Sequence, residues 1–198
     1  MFKIFENRFS CREFLDKDID KDDFRKVLEL ARLSPSSLGL EPWYFIATQD
    51  KNKIKELGII ANNQTHVSTC AALIIIVSRY DFAAYFEDKL RKRDMSKEEI
   101  EKRIQAYKPF LESMNFEERK SYSKQQAHIA LATILYAATS LNLGSCAIGG
   151  FSQKDLDKYL GLDTGKEQAT VMVALGHRKD KEIPAKSRFN FNDVVKFI

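Results

Sequence analysis

Apolar and polar positions follow two patterns along this chain, one typical of helices and one typical of buried strands. Between Phe24 and Ala31, apolar residues recur three and four positions apart, as on one face of an amphipathic helix. Asp20 is a suitable N-cap residue for this helix. Because a proline disfavours helical geometry at the residue before it, we expect the helix to end before Pro35.

Short runs rich in aromatic and β-branched residues predict the strands of a sheet. The run Leu73–Val77 is apolar at every position, which is typical of a central strand covered on both faces. The other predicted strands are Trp43–Thr48, Ser145–Ile148 and Ala169–Leu175, and a β-branched apolar segment, Val194–Ile198, ends the chain.

Further helices are predicted between these strands. Asp50 is placed to cap a short helix that ends at Leu57, and Gln153–Leu160 forms another helix. The segment Ser123–Leu141 is predicted to be a long helix. It is apolar nearly all round, which indicates a buried helix. We expect this helix to line a subunit interface as well.

Residues 81–121 show the least regular pattern in the chain. Ser96 and Glu99 form a capping-box pattern, which predicts the start of a helix. Tyr107-Lys108-Pro109-Phe110 is predicted to end that helix. The segment has charged residues outside and aromatic residues inside. It is either a mobile, variable helical cover over a pocket or an insertion without a special role, and the sequence favours neither.

The mixture of strands with several successive helices predicts an α+β fold rather than a doubly wound parallel sheet. No internal repeat, low-complexity tract or change in composition divides the chain, so we expect a single domain over residues 1–198. Neither the dinucleotide-binding GxGxxG pattern after a strand nor a P-loop sequence is present.

Composition places the chain among ordinary globular proteins. Apolar residues make up 44% and charged residues 30% of the 198 positions, and acids and bases are interleaved at a net charge of +4, which argues against nucleic-acid binding. No apolar run approaches the roughly 18 residues that span a membrane, and the first residues lack the apolar core of a signal peptide. Widely spaced Cys11, Cys70 and Cys146, without a CxxC pair, indicate reduced thiols in a cytoplasmic protein rather than a metal site.

Cations cluster with small hydroxyl residues near both ends of the chain. The first cluster is Arg8-Phe9-Ser10-Cys11-Arg12 and the second is Ala185-Lys186-Ser187-Arg188. Arginine and lysine donate charge-assisted hydrogen bonds to phosphate, and arginine binds it with two donors at once. The two clusters are therefore suited to one phosphate, although on spacing alone a solvated charged surface is the simpler interpretation.

The order of motifs along the chain resembles that of the nitroreductase family, the FMN-dependent NAD(P)H oxidoreductases. Arg-x-Ser-x-Arg is followed by Ser-Pro-Ser-Ser with Glu-Pro-Trp, and then by an Asn-rich turn. Leu-Asn-Leu-Gly-Ser-Cys-Ala-Ile-Gly-Gly-Phe, and Leu-Gly-His followed by Lys-Ser-Arg, complete the match. The resemblance covers residues 8–188, is weakest over 81–121, and is closest to the small oxygen-insensitive nitroreductases.

The resemblance implies an α/β sandwich with a mixed, mainly antiparallel sheet flanked by helices. It also implies a homodimer that binds FMN at the subunit interface. The implied FMN-binding residues are Arg8, Phe9, Ser10, Arg12, Asn63, His66, Ala147, Ile148, Gly149, Gly150, Lys186 and Arg188 of one subunit, with Pro35, Ser36 and Ser37 of the other.

Several of these positions have specific roles by resemblance. Asn63 would hydrogen-bond the isoalloxazine edge, and Gly149 and Gly150 would bring a backbone N–H near flavin N5. Paired glycines after a strand also allow close ligand approach on physical grounds, with a simple turn as the alternative. His66 stands where close relatives often have Lys, and flavin contact or a structural role are equal alternatives. Ala147 replaces a common Pro, and some relatives carry an acid at Gly149.

The resemblance also implies the reaction. NADH or NADPH would reduce FMN, and a flat electron-poor acceptor such as a nitroaromatic or quinone would reoxidise it in ping-pong turnover. Such chemistry belongs mostly to the cofactor, so no catalytic side chain is named. Tyr107 and Phe110 are predicted to stack over the site, with core packing as the alternative. Other flavin chemistry, such as dehalogenation or flavin breakdown, and a non-catalytic flavin-binding protein are the competing classes.

The C-terminal tail, residues 190–198, is apolar enough to need a surface to cover. The resemblance implies that the tail packs on the partner subunit and adds an edge strand to its sheet. A frayed terminus, which is common in proteins, is the alternative.

Overall fold

The computed structural model describes residues 2–180 and 182–198. Within those ranges, four antiparallel strands form one sheet in the order β1-β2-β4-β3. An isolated parallel bridge between Ser10 and Ser145 adds the N-terminal segment beside β3, so the pairing is mixed but mainly antiparallel, as expected. The strands are β1 (Trp43–Thr48), β2 (Ala72–Arg79), β3 (Gly144–Ile148) and β4 (Glu167–Gly176).

Helices connect the strands and cover the sheet, which confirms the α+β class. Asp20 and Asp50 cap the second and third helices, as predicted, since each carboxylate accepts from backbone N–H groups two and three residues further on. The third helix was predicted to end at Leu57, but it continues to Ile60. The helices are α1 (Lys3–Asn7), α2 (Lys21–Arg32), α3 (Lys51–Ile60), α4 (Thr65–Ser68), α5 (Phe82–Arg91), α6 (Lys97–Ser113), α7 (Phe116–Ser140), α8 (Gln153–Leu160) and α9 (Phe191–Val194).

Strand β2 lies inside the sheet and is covered on both faces. Ile74 and Ile76 pack in the core on the side of α2 and α7, whereas Leu73 and Ile75 pack in the core on the side of α3 and α8. Because successive side chains of a strand point to opposite faces, a strand covered twice has to be apolar at every position. The prediction of a central strand from its continuous apolar run is confirmed.

The region 81–121 is regular, contrary to the sequence expectation. Helices α5 and α6 and the start of α7 occupy it, and Pro109 lies inside α6 instead of ending the helix. Ile100 and Ile104 before the proline and Leu111 after it are all buried in a third core cluster formed by α5, α6 and Leu40. This burial on both sides of Pro109 offsets the lost helical hydrogen bond.

The long helix α7 begins at Phe116, earlier than the predicted start at Ser123. Asn115 caps it in a capping box with Glu118, a signal that lay outside the apolar pattern. One face of α7 is buried against the sheet, but Ile129 on another face is 38% exposed. The helix is therefore not buried all round within one subunit, and its role in a subunit interface stays a prediction.

The end of the chain differs from the expected β-branched strand. Phe191–Val194 forms the short helix α9, and the residues after it have no regular structure. Phe197 is 87% exposed, so the apolar tail has no covering surface within one subunit. Packing of this tail on a partner stays a prediction.

None of the helices in residues 2–180 and 182–198 combines the length and the apolar character that a membrane span needs.

Candidate functional site

The N-terminal segment is fixed along the edge of the sheet by close backbone contacts. The Cys11 N–H donates to the Ser145 carbonyl at 3.0 Å, beside the parallel bridge. Gly144 and Gly176 face each other across β3 and β4. A Cβ on Gly144 would lie 2.9 Å from Cys11 Sγ, and one on Gly176 would lie 2.7 Å from the Phe14 ring. The two glycines therefore allow the segment carrying Arg8 and Arg12 to approach the sheet.

The two cationic clusters meet, although they lie near opposite ends of the chain. Lys186 Nζ donates to the Arg8 carbonyl oxygen at 2.5 Å. Together the clusters line a hollow of about 230 Å³, here called the cationic cleft. Its cationic residues are Arg8, Arg12, Lys186 and Arg188.

Among the described residues that line the cationic cleft, none is acidic, and Glu6 only partly opposes the positive charges around Lys186. Within residues 2–180 and 182–198, none of Arg8, Arg12, Lys186 and Arg188 forms an ion pair. Partial desolvation lowers the pKa of Lys186, and the positive charges of Arg8 and Arg188 lower it further. Crowded cations that repel one another favour a bound anion, and phosphate fits their donor geometry.

A larger hollow of about 1120 Å³, here called the main cleft, adjoins the cationic cleft. The residues common to both are Phe9, Ser10, Arg12, Pro184 and Ala185. Asn63 and His66 line the other side of the main cleft. Five further polar residues that were not predicted as site residues also line the main cleft. They are Glu13, Gln64, Thr65, Asp180 and Glu182.

The Asn-rich turn between α3 and α4 presents Asn63 and His66 to the main cleft. Asn62 and Asn63 have φ angles of 58° and 53°, and the Asn63 N–H donates to the Gly58 carbonyl at 2.8 Å. Asparagine tolerates this left-handed conformation better than most residues. Burial lowers the pKa of His66, and the nearby Arg12 guanidinium lowers it further. The His66 imidazole is therefore neutral near pH 7.

The same turn is tied to the glycine pair after β3. The side-chain amides of Asn62 and Gln64 donate to the Gly150 carbonyl at 3.0 and 2.8 Å. Gly149 has open space where a side chain would point. Ile148 is buried in the core, whereas Ala147 is exposed, and neither is among the described residues that line the two clefts.

Other predicted site residues do not reach this cleft within one subunit. The Ser37 N–H donates to Gln126 of α7 at 2.8 Å, and the residues described as lining the two clefts include none from Pro35–Ser37. Phe110 lines a separate hollow of about 420 Å³ between α6 and α7, and Tyr107 of α6 lines neither cleft. Their predicted contact with the cofactor site requires a second subunit.

The fold is an α+β sandwich with a cation-lined cleft at one edge of the sheet, and comparison with known proteins identifies the class. Residues 5–177 match the model of the Nitroreductase family. A Haemophilus influenzae protein with the provisional name NAD(P)H nitroreductase is 31% identical over 214 residues, covering 100% of this chain and 96% of the relative. A Staphylococcus epidermidis protein with the same provisional name is 31% identical over 208 residues, covering 98% and 94%.

Solved structures share the fold. A Bacillus subtilis protein provisionally named a nitroreductase superposes with a TM-score of 0.90 at 20% identity, covering 99% of this chain and 97% of that one. A similarly named Exiguobacterium sibiricum protein, solved in complex with FMN, has a TM-score of 0.90 at 21% identity, covering 100% and 96%. The chain belongs to the nitroreductase family, as its motif order predicted, and it is an oxidoreductase.

Proposed function

We propose that this protein binds FMN and transfers reducing equivalents from NADH or NADPH to a nitroaromatic, a quinone or a related electron-poor acceptor. The observation that carries the proposal is the meeting of the two cationic clusters, marked by the bond from Lys186 to the Arg8 carbonyl. The FMN in the Exiguobacterium sibiricum structure and the provisional name of the Haemophilus influenzae relative support it.

The residues of the two clefts fit a flavin mononucleotide. The cationic cleft provides Arg8, Arg12, Lys186 and Arg188 for one terminal phosphate, and the adjoining main cleft of about 1120 Å³ has room for a ring system. Drug-sized ligands occupy pockets of roughly 300–1000 Å³. The open space beside Gly149 leaves backbone available to a flat ligand edge.

In this proposal, the chain binds and orients while the cofactor supplies the redox chemistry. When bound, FMN would supply the hydride-transfer chemistry between the nicotinamide and the acceptor. Asn63 hydrogen-bonds the ring edge, and the Gly149–Gly150 backbone donates toward N5. Because the His66 imidazole is neutral near pH 7, it would add no positive charge beside a reduced, negatively charged ring.

A homodimer completes the site in this proposal. Pro35, Ser36 and Ser37 lie outside the clefts of their own subunit, which is consistent with a loop that serves the partner's flavin. Phe110 is 52% exposed and Tyr107 is 39% exposed, so both are available to a partner or to a flat acceptor. We place them at the acceptor side of the partner's site.

The purified protein tests the proposal directly. We expect a flavin absorption spectrum, release of FMN rather than FAD as judged by mass, and acceptor-dependent oxidation of NADH or NADPH. Product analysis then distinguishes nitro or quinone reduction from dehalogenation or flavin breakdown. A protein that binds no flavin after reconstitution with FMN would contradict the proposal. Bound FMN without turnover by either nicotinamide would leave a flavin-binding protein instead of a reductase.

A further inference from the structure

One backbone carbonyl accepts hydrogen bonds from two side-chain amides, one of which belongs to Gln64 in the lining of the main cleft. The Gly150 carbonyl receives hydrogen bonds from Asn62 Nδ2 at 3.0 Å and Gln64 Nε2 at 2.8 Å. Gln64 Nε2 also donates to the Ala61 carbonyl at 2.8 Å, so its amide bridges two chain segments. A backbone bond from the Ser152 N–H to the Ile60 carbonyl, at 3.0 Å, closes the same junction.

The turn that supplies these amides has an unfavourable backbone. Asn62 and Asn63 both have positive φ angles, and two such non-glycine residues in succession need support from their surroundings. The conformation ends α3 and directs the Asn62 and Gln64 amides to one acceptor. Asn63, between them, lines the main cleft together with Gln64.

The two glycines differ in the space around their Cα atoms, since Gly150 is in contact with Gln64 and Gly149 has open space. A Cβ on Gly150 would lie 3.4 Å from Gln64 Nε2, whereas a Cβ on Gly149 would meet nothing within 4 Å. Adjacent glycines have the least restricted backbone of any dipeptide, so their N–H directions are fixed only by external contacts. The two amides anchor the Gly150 carbonyl and so restrain the glycine pair from its C-terminal end.

We propose that Gln64 and Asn62 are positioning residues that hold the Gly149–Gly150 backbone in the orientation that donates to the flavin edge. This inference rests on the proposed function, since it assumes FMN in the main cleft. A preorganised donor is most valuable where negative charge develops. Gln64 and Asn62 therefore stabilise reduced FMN more than oxidised FMN through the glycine backbone that they hold.

Two variants remove one donor each. Gln64→Ala deletes the amide, and Asn62→Gly deletes the other amide while keeping a residue that adopts positive φ. Gln49→Ala is the matched control, because Gln49 Nε2 also donates to a backbone carbonyl, that of Ile19, at 2.8 Å. Gln49 does not line either cleft in the described part of the chain.

The readouts are the two-electron reduction potential of bound FMN, the dissociation constant of oxidised FMN and the melting temperature of the apoprotein. We expect Gln64→Ala and Asn62→Gly to lower the affinity for reduced relative to oxidised FMN by about tenfold. For a two-electron couple, that ratio corresponds to a potential about 30 mV lower. Gln49→Ala should leave the potential at the wild-type value.

An unchanged potential in Gln64→Ala and Asn62→Gly overturns the inference, even where the melting temperature falls, because the amides are then only a structural brace. If Gln64→Ala does not fold, Asn62→Gly alone decides. An unchanged potential leaves the proposed function intact as long as the wild-type protein binds FMN and oxidises NADH or NADPH. Failure of the wild-type protein to bind FMN overturns the proposed function and this inference together.

Discussion

At the scale of single residues, the cationic cleft is defined by charges that are brought together with no acid among the described residues that line it. An exposed ion pair contributes little to folding, and Arg8, Arg12, Lys186 and Arg188 form none with described residues. Selection for folding stability alone gives no reason to assemble these four cations. Their arrangement makes sense as a binding device for an anion.

We therefore expect Arg188→Ala to weaken FMN binding while leaving the apoprotein as stable as the wild type. The loss of a charge-assisted contact should reduce binding by about 1.5–3 kcal/mol, measured by flavin fluorescence titration. Arg25→Ala is the control, since Arg25 is an exposed cation of α2 without an ion pair among the described residues. Equal affinities in the two variants would mean that Arg188 belongs to an ordinary solvated surface.

His66 gives a prediction about pH. Its pKa lies below the ordinary value of 6.5 in the folded protein because burial and Arg12 disfavour the charged imidazole. As pH falls through 6.5, the unfolded chain binds the proton more readily than the folded one, so this histidine reduces the stability of the apoprotein. His66→Gln should lose less unfolding free energy than wild type between pH 7 and pH 5, as measured by urea titration. Parallel pH curves for the two proteins would contradict this.

The residue scale also shows what the sequence reveals about a site and what it hides. Arg12 and Lys186 were predicted as FMN-binding residues from the order of family motifs, because clustered cations alone are equally typical of a solvated surface. Gln64 was not selected, since an exposed polar turn and a turn that fixes a carbonyl have the same composition. The two kinds of turn are distinguished by the positive φ angles of Asn62 and Asn63, which cannot be read from the sequence.

At the scale of elements, helices α5 and α6 act as a support for the loop between α2 and β1. Arg93, which follows α5, donates to the Leu38 and Gly39 carbonyls at 3.0 and 2.9 Å. Lys89 of α5 pairs with Glu41 at 2.7 Å. Leu38, Gly39 and Glu41 all have positive φ angles, so this loop is strained and is held in place from outside.

We expect Arg93→Met to release the loop. Two hydrogen bonds to carbonyls are lost, so the free energy of unfolding should fall by about 1–3 kcal/mol, and limited proteolysis should cut within residues 36–41 faster than in the wild type. Arg103→Met is the control, because among the described residues Arg103 pairs with Glu99 of its own helix and with no other. A cleavage pattern identical in both variants would show that the loop keeps its shape without Arg93.

The elements also explain why boundaries were harder to predict than identities. Gln153–Leu160 and Trp43–Thr48 were predicted with their observed bounds because a cap or a turn coincides with the end of each apolar pattern. Pro109 looked like a helix end, but α6 continues to Ser113. Burial of Leu111 in the third cluster decides this, and such tertiary packing is not visible in a local pattern.

At the scale of the whole molecule, one subunit leaves apolar surface at both ends of the chain. Phe5 stacks on Tyr136 of α7 with ring centroids 4.6 Å apart, yet Phe5 is still 52% exposed. Phe189 and Phe197 of the C-terminal segment are more exposed still. Large apolar side chains left exposed by one subunit are available to a partner, which supports the proposed homodimer.

The tail is the part of this surface that tests the assembly. A residue as exposed as Phe197, with 87% of its surface in water, contributes nothing to a single subunit but anchors the tail if it packs on a partner. The tail follows directly from Lys186 and Arg188 in sequence, so its position and that of the cationic cleft are linked. We expect a protein lacking residues 193–198 to lose dimer stability and FMN together, as measured by light scattering and flavin content.

A point variant separates the apolar contact from the mere length of the tail. Phe197→Ser should weaken the dimer and lower the melting temperature of the flavin-bound protein, because it removes the largest apolar side chain near the end of the chain. Lys196→Ser, at the neighbouring exposed position, should leave both unchanged. If the truncated protein stays dimeric, keeps its flavin and melts at the wild-type temperature, then the tail is a frayed terminus and the exchange between subunits does not occur.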